Sequence, residues 1–202
     1  TDAHLKDLMY ANGVLLLVTA KDPNNHLVIL GIAIVPVENG EHWTWFLRCL
    51  QSAGIPIADT VIVSDRLKGL IKACNDVCPD SPHRYCMRHI VANMNSSLGR
   101  HLSSVEESLV YKLPRSDSRE SFTRHMDKLQ STNAVVATYL SHIPVKNWVT
   151  YAFPRPTFDN FTSNLSESAN QWLGTELRSS DAVTLYFRYM YHLLKNINER
   201  ST

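Results

Sequence analysis

Val61-Ile62-Val63-Ser64-Asp65-Arg66 decides the fold. Three β-branched aliphatic residues in succession read as the middle of a buried strand. Just beyond, Leu67, Leu70, Ile71 and Cys74 fall at helical spacing. A short strand therefore ends in a carboxylate, Asp65, where a helix begins, and in α/β folds that edge is where sites form. Asp65 also suits a plainer role, because aspartate is a favoured helix N-cap. The residues alone leave both readings open.

Upstream, Gly13 to Ala20 and Leu27 to Val37 are rich in Val, Ile and Leu, and Lys21-Asp22-Pro23-Asn24-Asn25 between them is turn chemistry. They read as a β-hairpin. Trp43, Phe46, Leu47 and Leu50 recur at helical spacing, which predicts a helix over Glu41 to Ser52, ended by Gly54 and Pro56. A strand over Thr60 to Ser64, a helix from Arg66 to Val77 and a short strand near His83 to Cys86 follow. A hairpin followed by alternating helix and strand predicts an α/β fold with a single mixed sheet.

From Ile90 to Phe153 strand signals give way to helical periodicity, with Phe122, Met126 and Leu129 as one stripe and Val135, Val136, Tyr139, Leu140 and Ile143 as another. This predicts an all-helical insertion. Pro154-Arg155-Pro156 breaks the pattern. A helix is expected from Asn164 through Trp172, and a last one from Asp181 to Asn198 with Tyr186, Tyr189, Met190, Leu193, Leu194 and Ile197 inward. The chain divides into residues 1–89, the first part of the core, 90–156, the helical insertion, and 157–202, C-terminal helices that complete the core.

The 202 residues, 44% of them hydrophobic, suffice for a buried core. The net charge of +1 hides an asymmetry: residues 1–65 carry 3 basic and 7 acidic side chains, and residues 66–202 carry 17 and 12. The later part is the face for a polyanion, although the surplus is modest for a protein that grips DNA through charge alone. The apolar run Leu27 to Val37 is shorter than the roughly 18 residues of a membrane helix, so no membrane span is expected. Cys49, Cys74, Cys78 and Cys86 form no compact disulfide framework, which favours a reducing compartment.

Two further carboxylates stand in marked contexts: Asp2 in Asp2-Ala3-His4-Leu5-Lys6, and Glu167 in Asn164-Leu165-Ser166-Glu167-Ser168. Glu167 also fits a capping box opened by Asn164. Three carboxylates drawn together would hold a pair of hard cations. Cys86-Met87-Arg88-His89 offers a thiol and an imidazole three residues apart. With His83, Cys74 and Cys78 nearby, these suit structural zinc, a buried thiol with a hydrogen-bonded histidine, or a histidine close to a reacting phosphate. Arg66, Lys68, Arg84 and Arg88 are candidate phosphate contacts, with a solvated surface as the plainer reading of each. No glycine-rich phosphate loop, Gly-x-Ser-x-Gly elbow or His-Glu-x-x-His motif is present.

Six stretches, in order and spacing, resemble the transposase domain of Mutator-like elements: Gly13-Val14-Leu15-Leu16, Asn24-Asn25, Glu41 to Leu47, Ser64-Asp65-Arg66-Leu67-Lys68-Gly69, His83 to His89, and Thr162-Ser163-Asn164 to Glu167-Ser168. The resemblance runs from about Asp2 to about Leu173. It implies a ribonuclease-H-like mixed sheet with an all-helical insertion before the last catalytic helix. It also implies a catalytic triad of Asp2, Asp65 and Glu167 that binds two Mg²⁺ or Mn²⁺ ions, with Cys86 and His89 adjacent. The implied partners are DNA, as transposon ends and target, and further copies of the chain assembled on that DNA. The nucleus is the implied compartment. The alternative within the same resemblance is a domesticated, non-catalytic transcription factor or DNA-binding scaffold.

Overall fold

A computed structural model describes residues 3–4, 13–22, 24, 26–156 and 181–200. The chain divides into two compact units, Thr1–Ile55 with Asn164–Thr202, and Pro56–Ser163. No helix of the described residues is long and apolar enough to cross a membrane.

In the first unit, β1 (Ala3–His4), β2 (Val14–Lys21) and β3 (Leu27–Val35) form an antiparallel sheet in that order. The expected hairpin is β2 with β3. Their register steps between Val18 opposite Gly31 and Thr19 opposite Ile29, which leaves Leu30 as the extra residue of a bulge. The bulge switches which alternate positions of β3 share a face. Leu15 and Leu17 consequently lie with Ile29, Ile32 and Ile34, and this face packs on Leu185 and Tyr189 of the last helix, α7 (Ala182–Arg200). The opposite face receives α1 (Gly40–Ser52), which Asn39 caps by accepting the His42 amide at 2.9 Å. Gly31 permits that approach, because a Cβ there would lie 2.7 Å from Leu50 Cδ2.

The second unit opens with β4 (Ile62–Ser64), α2 (Lys68–Val77) and β5 (His83–Tyr85). β4 and β5 pair in parallel, Ile62 opposite His83, Val63 opposite Arg84 and Ser64 opposite Tyr85. Then come α3 (Met87–Leu98), α4 (Ser104–Val110), α5 (Arg119–Thr132) and α6 (Ala134–Ser141), with one 3-10 turn between α4 and α5 and two more after α6. Ile90 to Phe153 holds helices alone. Its core gathers Ile90 and Met94, Leu109 and Val110, Leu129, Val136 and Leu140 around Trp148. Glu106 anchors α4: it closes a capping box with Ser103, holds Arg100 at 2.8 and 2.9 Å, and accepts from Asn133.

The expected single sheet is corrected: the described strands hydrogen-bond as two sheets, three-stranded antiparallel and two-stranded parallel. Apolar patterning reports which residues favour extended backbone, not which strands pair. Two apolar assignments also change. Val135 is more than half exposed, and on α7 it is Leu185, Tyr189 and Leu193 that face the sheet while Tyr186, Met190 and Leu194 are exposed. That helix is apolar over well more than half of its circumference, so periodicity did not single out its buried side. The helix expected over Asn164 to Trp172 lies outside the described residues.

Candidate active site at the ends of the parallel strands

Parallel pairing brings the carboxyl ends of β4 and β5 side by side. The last rung, Cys86 N–H to the Ser64 carbonyl at 2.7 Å, sets Asp65 beside Cys86 as the two strands turn into α2 and α3. Both helices thus begin at the same edge of the pair, the position where α/β sheets form their sites.

Asp65 is half-buried, and its Oδ1 accepts the Leu67 amide at 3.1 Å. The N-cap reading is corrected, since the capping position of α2 belongs to Leu67 and no side chain caps it. Asp65 instead makes a tight turn onto the backbone two residues ahead. Its Oδ2 accepts no hydrogen bond among the described residues. An oxygen so placed suits a hard cation better than the sulfur and imidazole nearby.

Cys86 occupies the N-cap position of α3, is fully buried and makes no side-chain cap bond. One turn on, His89 is held above the usual imidazole range, chiefly by its hydrogen bond with the Cys86 side chain and further by the Asp65 charge, against its partial burial. His83 goes the other way: burial lowers it to about 4, although the Asp65 charge pulls upward. Two histidines beside one carboxylate are thus shifted in opposite directions. Among the described residues no three His, Cys, Asp or Glu side chains come together as a metal site. Cys74 and Cys78, both buried and free, hydrogen-bond to each other at the end of α2, which keeps the Cys74 thiol protonated.

The four cationic candidates separate. Lys68 and Arg88 are exposed at the starts of α2 and α3. Arg66 is half-buried, its Nη2 donating to Tyr139 Oη at 2.9 Å with the guanidinium 5.9 Å from that ring. Arg84 is corrected: it is 0% exposed, its Nη2 donates to the carbonyls of Pro114 and Trp148 and to Thr150 Oγ1, and its guanidinium covers Phe153. Alternation in β5 explains this, because His83 and Tyr85 share one face and Arg84 points off the other, into the helical core. Asp2 and Glu167 lie outside the described residues.

Sequence reasoning overlooked Ser64. Its Oγ lies 2.7 Å from His83 Nε2 and 2.8 Å from the Asp65 carbonyl. The signal was available, since Ser64 is the polar residue that follows the β-branched run and directly precedes Asp65.

Residues 7–93 match the model of the MULE transposase domain. That segment contains Asp65, Cys86 and His89 and stops far short of Glu167. The chain is also similar to the transposase for insertion sequence element IS905 of Lactococcus lactis subsp. lactis (strain IL1403), with 32% identity over 78 residues, 39% of this chain and 20% of the relative. The transposases for IS1081 of Mycobacterium tuberculosis (strain ATCC 25618 / H37Rv) and Mycobacterium bovis (strain ATCC BAA-935 / AF2122/97) each share 24% over 153 residues, 74% of this chain. The chain spans 37% of the length of those two. The likeness is therefore to transposases as a class, across a part of each.

Proposed function

We propose that the chain belongs to the catalytic core of a Mutator-like DNA transposase that cuts and joins DNA at the ends of its element. One observation carries this reading: Asp65 stands at the carboxyl edge of the parallel pair, inside the segment similar to the MULE domain, with Oδ1 tied to the backbone and Oδ2 without a hydrogen bond among the described residues.

Asp65, with Asp2 and Glu167 completing the set that the resemblance implies, would hold two Mg²⁺ or Mn²⁺ ions. When bound, such ions activate a water or 3′-hydroxyl and stabilise the leaving oxygen of an in-line displacement. The turn onto Leu67 orients the Asp65 carboxylate before any ion arrives. His89, its imidazole shifted toward the cationic form by Cys86 and the Asp65 charge, would offer an N–H toward a phosphate drawn to the same edge. Lys68 and Arg88 contact the DNA backbone and place it without reading bases. Arg84 takes no part in that contact. DNA is the partner, and copies of the chain assemble on it.

The test is cleavage of element ends by the full-length protein with Mg²⁺ or Mn²⁺. Asp65→Asn keeps an oxygen for the Leu67 amide and removes the charge, so it should abolish cleavage with the fold intact. Wild-type cleavage by that variant would sink the reading in favour of a non-catalytic, DNA-binding derivative.

A further inference from the structure

Ser64 and His83 lie on the same face of the parallel pair, one residue before Asp65 and one strand across from it. The Ser64 hydroxyl has a single proton, and it is given to the Asp65 carbonyl at 2.8 Å. The 2.7 Å contact between Ser64 Oγ and His83 Nε2 must then run the other way, Nε2–H donating to Oγ. His83 is itself fixed, by Asn147 Nδ2 donating to its carbonyl at 2.9 Å and by an edge contact with the Tyr85 ring, centroids 5.4 Å apart. Asp65 is thus restrained at two points, its carbonyl by Ser64 and its Oδ1 by the Leu67 amide.

We infer that His83 and Ser64 form a positioning relay for Asp65: imidazole to hydroxyl to main-chain carbonyl, setting the direction in which the free carboxylate oxygen points. The inference rests on the catalytic reading of Asp65 and adds residues that the reading did not need. Burial keeps His83 neutral at neutral pH, in keeping with one ring proton shared out by this network. A merely structural hydroxyl would gain as much from any nearby carbonyl. Here the accepting carbonyl is that of the candidate ligand itself, and outer partners of metal-binding groups typically change affinity or activity by about 10-fold to 100-fold.

The experiment uses the full-length protein, uncut element ends and Mn²⁺ as the probe ion, with bound Mn²⁺ read from the loss of the free-ion spin-resonance signal alongside cleavage. Ser64→Ala breaks the relay at the hydroxyl, and His83→Phe breaks it at the ring while keeping the edge contact with Tyr85. Each should raise the Mn²⁺ concentration for half-maximal cleavage about 10-fold, with most of the rate recovered at saturating Mn²⁺. A loss of folded protein would lower the maximal rate and leave that midpoint where it was. Ser64→Thr restores a hydroxyl and His83→Gln restores an N–H near the Nε2 position, so both should return the midpoint to within about 3-fold of wild type, within the scatter of such outer-partner effects. Unchanged midpoints in Ser64→Ala and His83→Phe, while Asp65→Asn is inactive, would overturn the relay alone. The same holds if Thr and Gln rescue no better than Ala and Phe. Wild-type cleavage by Asp65→Asn would overturn the catalytic reading, and the relay's purpose with it.

Discussion

Acidification should weaken the second unit through His83 in a window set by its own titration. The folded protein holds this imidazole at about 4, against an ordinary value of 6.5, chiefly because burial disfavours its cation. Between those two values the unfolded chain binds a proton that the folded one refuses, so stability rises with pH there and is lost as pH falls from 6.5 toward 4. The gap of about 2.5 units, at 1.36 kcal/mol per unit, corresponds to a loss of about 3 kcal/mol by pH 4, of which about 2 kcal/mol is gone by pH 5. That is a large part of the roughly 5–15 kcal/mol that holds a domain together. The assay is urea unfolding of wild type and His83→Gln at pH 7.5, 6.5, 5.5 and 5.0, above the range where carboxylates dominate. Gln keeps a donor toward Ser64 and does not titrate, so its stability should fall by about 2 kcal/mol less across that range. His89, raised by Cys86 and Asp65, contributes with the opposite sign, its stabilisation being lost as pH rises through its folded value. It is present in both proteins and cancels. Parallel stability curves for the two proteins would refute the burial of a neutral His83.

Three further outcomes follow from the same geometry. Glu106→Ala removes the capping box and both Arg100 bonds, and should lower unfolding stability by about 2 kcal/mol, read from the urea midpoint; a change under about 0.5 kcal/mol would show the cluster to be decorative. Arg84→Lys leaves the Trp148 carbonyl short of a donor and removes the planar guanidinium from Phe153, and should cost about 3 kcal/mol while leaving the salt dependence of DNA binding untouched. Lys68→Ala and Arg88→Ala should do the reverse, each reducing the slope of log affinity against log salt by about 1 with the melting temperature unchanged; slopes equal to wild type would remove them from the DNA contact.

What the sequence made legible is what depends on local pattern, and what it hid depends on pairing. The strand that ends in Ser64-Asp65, the helices over Gly40–Ser52 and Lys68–Val77 and the helical stretch after His89 follow from apolar spacing, because spacing and the buried side of an element are the same fact when the other side is polar. β3 breaks that equivalence. Its run Leu27 to Val35 is apolar on both faces, so the extra residue at Leu30, which reverses the facing of Ile29 relative to Gly31, leaves no trace in composition. α7 breaks it again, with Phe187 and Tyr191 more than half exposed opposite buried Leu185 and Tyr189. The site shows the same divide. Asp65 was legible because a carboxylate at the end of a β-branched run is locally conspicuous, whereas its helix-cap reading failed on a shift of two residues in where α2 begins. Arg84 and His83 are neighbours in sequence and opposite in role. Only the register of β5 against β4 turns the arginine into the helical core and the histidine toward Ser64, and register is a property of two segments nineteen to twenty-one residues apart. A cation next to a candidate site is therefore weak evidence for phosphate binding until the parity of its strand is known, and a lone hydroxyl beside a candidate ligand is stronger evidence than its side chain suggests.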